Sequence, residues 1–163
     1  MPFNEGWGQF DAAGAVEVVR RLDDTRLVDE ASGWYDQGGG DVDSLHNYFY
    51  PLRVRPRSRV VALSEYGGIA WPMPGHEPPR RAYGYGTAKS RAELTGRYRK
   101  LQSETVLPQL RNGLSALVYT QVSDVEDEVN GLFTYDRAAI KPDPAAVRAV
   151  NQALEAAFEK IVE

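Results

Sequence analysis

Arg59-Val60-Val61-Ala62-Leu63-Ser64-Glu65-Tyr66-Gly67-Gly68 is the stretch whose reading decides the fold. Its apolar, β-branched opening predicts a strand over residues 59–64, with Glu65 at the carboxyl end where the strand gives way to a glycine-rich loop. Sixty residues earlier, Asn4-Glu5-Gly6-Trp7-Gly8 repeats the device, again placing one glutamate just before glycines. Two carboxylates presented in this way at strand ends are how a barrel enzyme displays an acid/base pair.

Outward from that strand the chain alternates between the two periods. Residues 10–22 put Val16, Val19 and Leu22 on one face with arginines opposite, which predicts a helix. Residues 26–31 read as a short buried strand running into Ser32-Gly33, and residues 42–50 follow the Gly38-Gly39-Gly40 loop as a further strand. Prolines and glycines dominate residues 69–86, a long loop of the kind kept for function. Leu94, Tyr98, Leu101 and Thr105 recur at helical spacing over residues 88–106, and Pro108 marks a break. Residues 114–121 read as another strand ahead of an acidic loop. The last element, residues 144–162, aligns Val147, Val150, Leu154, Phe158 and Ile161, with Pro144 suited to a first helical turn. About five strands with helical crossovers predict an α/β fold with a parallel sheet.

Composition bounds the function. The 163 residues suffice for a single domain, 1–163, but fall short of the roughly 250 that a complete (β/α)8 barrel takes. A net charge of -4 argues against nucleic acid or an anionic membrane as partner. Zero cysteines exclude a disulfide framework, thiolate metal sites and a cysteine nucleophile. Met1-Pro2-Phe3-Asn4-Glu5 has no signal-peptide pattern, so the expectation for the chain as written is cytoplasmic.

Reading only the carboxyl ends of the strands yields Asn4-Glu5, Asp29-Glu30, His46-Asn47-Tyr48, Glu65-Tyr66 and Tyr119-Thr120-Gln121, groups suited to sugar hydroxyls and proton transfer. Asp29 and Glu30 read as structural, holding the end of their strand. The segments Phe3-Asn4-Glu5-Gly6-Trp7-Gly8-Gln9, Asp43-Ser44-Leu45-His46-Asn47-Tyr48, Ser64-Glu65-Tyr66-Gly67-Gly68 and Tyr119-Thr120-Gln121, in that order, resemble glycoside hydrolase family 2, the β-galactosidases, β-glucuronidases and β-mannosidases. The resemblance covers nearly the whole chain. It implies a retaining β-glycosidase with Glu5 as acid/base and Glu65 as nucleophile. It implies substrate contacts from Asn4, Trp7, His46, Tyr48, Trp71 and Gln121, with Asn4 on the sugar 2-hydroxyl, Tyr48 on Glu65, and Trp7 and Trp71 as stacking platforms. No cofactor and no metal is called for.

Retaining hydrolysis needs one ionised carboxylate and one protonated carboxyl roughly 5 Å apart. A carboxyl stays protonated near neutrality only where burial or a neighbouring negative charge disfavours its ionised form. By the same resemblance the chain opens inside the fourth barrel strand and holds strands four to eight of a TIM barrel. Its edge strands are then expected to pair with missing strands from another chain or with a second copy. The alternative reading is a noncatalytic carbohydrate-binding or self-associating fragment of such an enzyme. Three patterns are set aside. Gly84-Tyr85-Gly86-Thr87-Ala88-Lys89-Ser90 lacks the spacing of a phosphate loop, and the calcium-loop imitation from Glu126 has Arg137 at its twelfth position. Arg53, Arg55, Arg57 and Arg59 alternate as a solvated face does.

Overall fold

In a computed structural model, residues 1–49, 51–76 and 81–163 are described; residue 50, at the end of an expected strand, and residues 77–80, in the long loop, lie outside the described residues. In chain order the elements are β1 (Phe3–Asn4), α1 (Ala12–Leu22), β2 (Ala31–Ser32), β3 (Val42–Asn47), β4 (Val60–Gly67), α2 (Arg91–Lys100), a π-helical stretch (Leu101–Val106), α3 (Leu107–Leu110), β5 (Leu114–Thr120) and α4 (Pro144–Val162). The chain is α/β with parallel strand pairing. Instead of one run of barrel strands, the described strands form a two-stranded sheet, β1-β2, and a three-stranded sheet, β3-β4-β5.

The described residues divide into two compact units. The first comprises Met1–Asn47, Arg53–Tyr66 and Asn112–Val118. Here β4 is the strand that its apolar run predicts, with Val61, Ala62 and Leu63 all buried. It pairs in parallel with β3 from Val42↔Val60 to Asn47↔Tyr66. The alternating arginines lie ahead of β4 outside any strand, and two of them are committed to acids: Arg57 faces the buried Asp43 at 2.9 Å and Arg59 binds Asp36. β2 is shorter than its sequence run: Val28 is tied to the glycine loop, and Glu30 divides its bonds, its carbonyl accepting from the Phe3 amide of β1 and its side chain serving the glycine loop. The Val28 amide donates to Asp41 at 2.7 Å, and the buried Glu30 carboxylate accepts from the Gly39 amide at 2.8 Å. Glu30 is therefore structural, as its place in the sequence suggests. In α1, Ala12 and Val16 are buried while Leu22 is exposed. Asp11 caps that helix by accepting from the Gly14 amide, supplying one of the four donors a helix start leaves open.

The second unit comprises Tyr48–Leu52, Gly67–Arg111 and Tyr119–Glu163. Ser90 caps α2, its hydroxyl accepting from the Glu93 amide at 3.1 Å. Pro108 does not break the helix, because it falls in the first turn of α3, where no backbone donor is required of it. The π-helical turn ahead of it shifts the buried stripe: Gln102, Val106 and Leu110 face inward in place of Leu101 and Thr105. Pro144 occupies the first turn of α4, as the sequence indicates, and Asp143 caps the helix. Ile69, Trp71, Ala88 and Leu94 form a buried cluster with Met73 against it. Lys141, fully buried, donates to Asp124 and to the Val129 carbonyl, both at 2.7 Å, and Asp124 also accepts from the Gly131 amide at 2.8 Å. Burial pushes the Lys141 ammonium down and the Asp124 carboxyl up from their ordinary values, so desolvation outweighs their mutual attraction. That pair ties the acidic loop to Lys141.

Candidate active site

The first unit brings Glu5, His46 and Glu65 together. β1 and β2 pair in parallel, Asn4 opposite Ser32, and the Glu5 amide donates to the Ser32 carbonyl at 2.8 Å. Glu5 itself has a φ of +54°, left-handed backbone that costs a side-chain-bearing residue about 1–2 kcal/mol. Strain of this kind persists where the surroundings fix it, and at a carboxylate it sets the direction of the side chain.

Glu65 is placed by an irregularity of register. Leu45 pairs with Leu63, but His46 pairs with Glu65, so β4 carries one extra residue at Ser64. A bulge turns the following side chains relative to the strand's alternation, and here it sets Glu65 directly across from His46. Two hydroxyls pin the bulge: those of Ser44 and Ser64 lie 2.5 Å apart, and Ser64 reaches the Leu45 carbonyl at 3.2 Å.

His46 bridges the carboxylates. Its Nδ1 lies 3.2 Å from Glu5 Oε1 and 3.5 Å from Glu65 Oε2, and the three nearest donor and acceptor atoms all lie within 4.8 Å of one another. The His46 side chain is fully buried, whereas those of Glu5 and Glu65 are 25% and 35% exposed. Carboxylates accept, so Nδ1 carries a proton shared toward the pair. The other ring nitrogen, Nε2, is buried with no hydrogen-bond partner among the described residues. A bare lone pair there is tolerable, while an N–H there would be an orphaned donor costing about 1–3 kcal/mol.

That asymmetry bears on metal binding, because Glu5, His46 and Glu65 also have the separation of cation ligands. Ligation through Nδ1 would move the ring proton to Nε2, where none of the described residues receives it; metal-bound histidines ordinarily donate that proton to a partner. The donor set suits a proton-sharing cluster better than a metal centre.

Asn4 stands beside the pair with its amide oriented, its Oδ1 accepting from the Ser32 hydroxyl. Trp7 follows Glu5 in a turn and is 72% exposed, free to meet a ligand. Asp29, also in this unit, has its carboxyl pushed up by burial, only partly offset by a hydrogen bond with Ser44.

Three expected site residues belong to the second unit. Tyr48 has its hydroxyl 2.9 Å from the Thr120 hydroxyl and its ring stacked on Tyr85 at 3.7 Å. Gln121 donates to Asn130 at 2.7 Å and to Glu128 at 3.2 Å. Trp71, expected as a sugar platform, is only 8% exposed and packs in the cluster with Ile69, Ala88 and Leu94. Its ring is occupied by the core, which is the role a tryptophan in a proline-rich loop takes when apolar neighbours cover it.

Ser32, Gly33 and Ser44 are site residues that the sequence reading passed over. Gly33 has a φ of +85°, and a Cβ there would lie 2.5 Å from His46 Nδ1, so only glycine lets the imidazole approach. The signal was available, since Ser32-Gly33 sits at a strand's carboxyl end like the other motifs. No family model matches this sequence, and no curated protein matches it.

Proposed function

We propose that this chain carries the catalytic pair of a retaining β-glycosidase, with Glu65 as nucleophile and Glu5 as acid/base, in the part of a TIM barrel that spans strands four to eight. The observation that supports the reading is the spacing of the pair. The nearest oxygens of Glu5 and Glu65 lie within 4.8 Å of each other, which favours the roughly 5 Å carboxyl spacing of a retaining enzyme over the roughly 6.5–9.5 Å of an inverting one. The motif order resembling glycoside hydrolase family 2 points the same way.

In this reading a Glu65 oxygen attacks the anomeric carbon while Glu5 gives its proton to the departing glycosidic oxygen. Esterification removes the charge on Glu65. Glu5, now a carboxylate, takes a proton from a water that attacks the anomeric carbon and releases Glu65. His46 holds both carboxylates through one shared N–H, and the amide of Asn4 serves the 2-hydroxyl, where hydrogen bonds strengthen as positive charge grows. Retention of anomeric configuration is the consequence.

A panel of aryl β-galactosides, β-glucuronides and β-mannosides tests the proposal. Glu65→Gln is expected to abolish turnover. Glu5→Gln should spare substrates with acidic phenol leaving groups, which need no protonation, more than those with poor ones. Turnover unaffected by Glu65→Gln, or none by the folded wild-type chain, would remove the reading for this chain.

A further inference from the structure

The loop that follows β2 presents two aromatic rings beside the carboxylate pair, and folding does not account for their arrangement. Trp34 lies edge-on to His46, with ring centroids 6.1 Å apart and an interplanar angle of 65°, yet it is 44% exposed. Tyr35 is 72% exposed and holds a φ of +62°, a backbone conformation unfavourable for a bulky residue. Its ring lies over Gly6, the residue after Glu5: a Cβ on Gly6 would meet Tyr35 Cδ2 at 2.7 Å. The loop is held in place by the Gln9 side chain, which donates to the Tyr35 carbonyl at 3.1 Å. Strained backbone that displays large apolar surface to water is spent on a ligand rather than on the core.

Resting on the glycosidase reading, we infer that Trp34 and Tyr35 form a leaving-group subsite that takes a pyranose ring, so that the substrates are oligosaccharides rather than glycosides of small alcohols. The position follows from Glu5. An acid/base group protonates the glycosidic oxygen, so surfaces packed against its own backbone face the departing group, and Tyr35 is packed there through Gly6. The chemistry follows from the rings. An aromatic face gives a sugar's C–H face a broad apolar contact, while the tyrosine hydroxyl and the indole N–H remain for its hydroxyls.

Fluoride as leaving group separates this subsite from the chemistry. β-Galactosyl, β-glucuronyl and β-mannosyl fluorides and the corresponding β-1,4-linked disaccharides are compared in wild type, Tyr35→Gly, Trp34→Ala and Trp34→Phe. Tyr35→Gly relieves the left-handed strain, so its loss of function cannot be charged to misfolding. The expected result is a fall in kcat/KM of about tenfold or more on the disaccharide, an unchanged value on the fluoride, and partial recovery in Trp34→Phe. Equal losses on both substrates, or none on the disaccharide, overturn the inference. Should no fluoride be turned over, the glycosidase reading fails by itself. Quenching of tryptophan fluorescence by the same disaccharides then decides whether the subsite exists: quenching lost in Trp34→Phe supports it, and no quenching in wild type overturns it.

Discussion

Two glycines with nearly the same backbone allow the site's central contact to be weighed. Gly33 and Gly38 have φ values of +85° and +86°, so alanine at either suffers the same left-handed strain, about 1–2 kcal/mol. At Gly38 nothing lies within 4 Å of the added Cβ, whereas at Gly33 the Cβ falls 2.5 Å from Nδ1, 2.6 Å from Cγ and 2.8 Å from Cε1 of His46. Ordinary contact begins at 3.4 Å, so the buried ring has to retreat by about 0.9 Å. Overpacking a buried ring adds roughly 1–3 kcal/mol. A displacement of about 1 Å in a group that orients catalytic carboxylates costs on the order of a hundredfold in rate. In urea denaturation Gly33→Ala is thus expected to lose about 1–3 kcal/mol more than Gly38→Ala. In kcat/KM on an aryl β-glycoside only Gly33→Ala is expected to fall. Equal destabilisation of the two variants, with equal activity, would show that His46 is not held against Gly33 and would refute the geometry.

Two further outcomes follow from the second unit. Lys141→Met strands the Asp124 carboxylate in the interior, so it should destabilise by roughly 3–5 kcal/mol in urea titration, and a loss below about 1 kcal/mol would contradict the buried pair. Asp136 is held down to about 2 by the Thr134 hydroxyl, the Ala138 amide and His76, in that order. Its folded value lies below its unfolded value of about 3.9, so its contribution to stability is complete above about pH 4 and is lost as pH falls toward about 2. The gap in urea midpoint between wild type and Asp136→Asn should accordingly be constant above pH 4 and close between 4 and 2. A gap that is unchanged across that window would count against the hydrogen-bonded carboxylate.

Local signals made β4 and α4 legible in the sequence, each by a different mechanism. The apolar run of residues 60–63 marks β4, and Pro144 marks the start of α4. Pro108 misleads because a proline is read as a break unless the helix restarts at it. The π-helical turn moves burial from Leu101 to Gln102, which no period in the sequence announces. At the site, Glu5 and Glu65 are visible from their place ahead of glycines. The bridge between them is not, since it depends on a bulge that pairs His46 with Glu65, and register between strands is a nonlocal property. Trp71 departs from its expectation for a similar reason: exposure depends on which neighbours arrive, and Trp71 meets an apolar cluster.

The central claim is that Glu65 attacks an anomeric carbon beside Glu5, and covalent trapping tests it most directly. A 2-deoxy-2-fluoro-β-glycosyl fluoride slows hydrolysis of the ester while its fluoride departs without an acid, so the glycosyl-enzyme accumulates. Incubation with the galactosyl, glucuronic and mannosyl forms, followed by intact-mass and peptide analysis, should reveal one fluoroglycosyl adduct, carried by Glu65 and absent in Glu65→Gln. An adduct on another residue, or no adduct on the folded wild-type chain with any of the three sugars, would contradict the account.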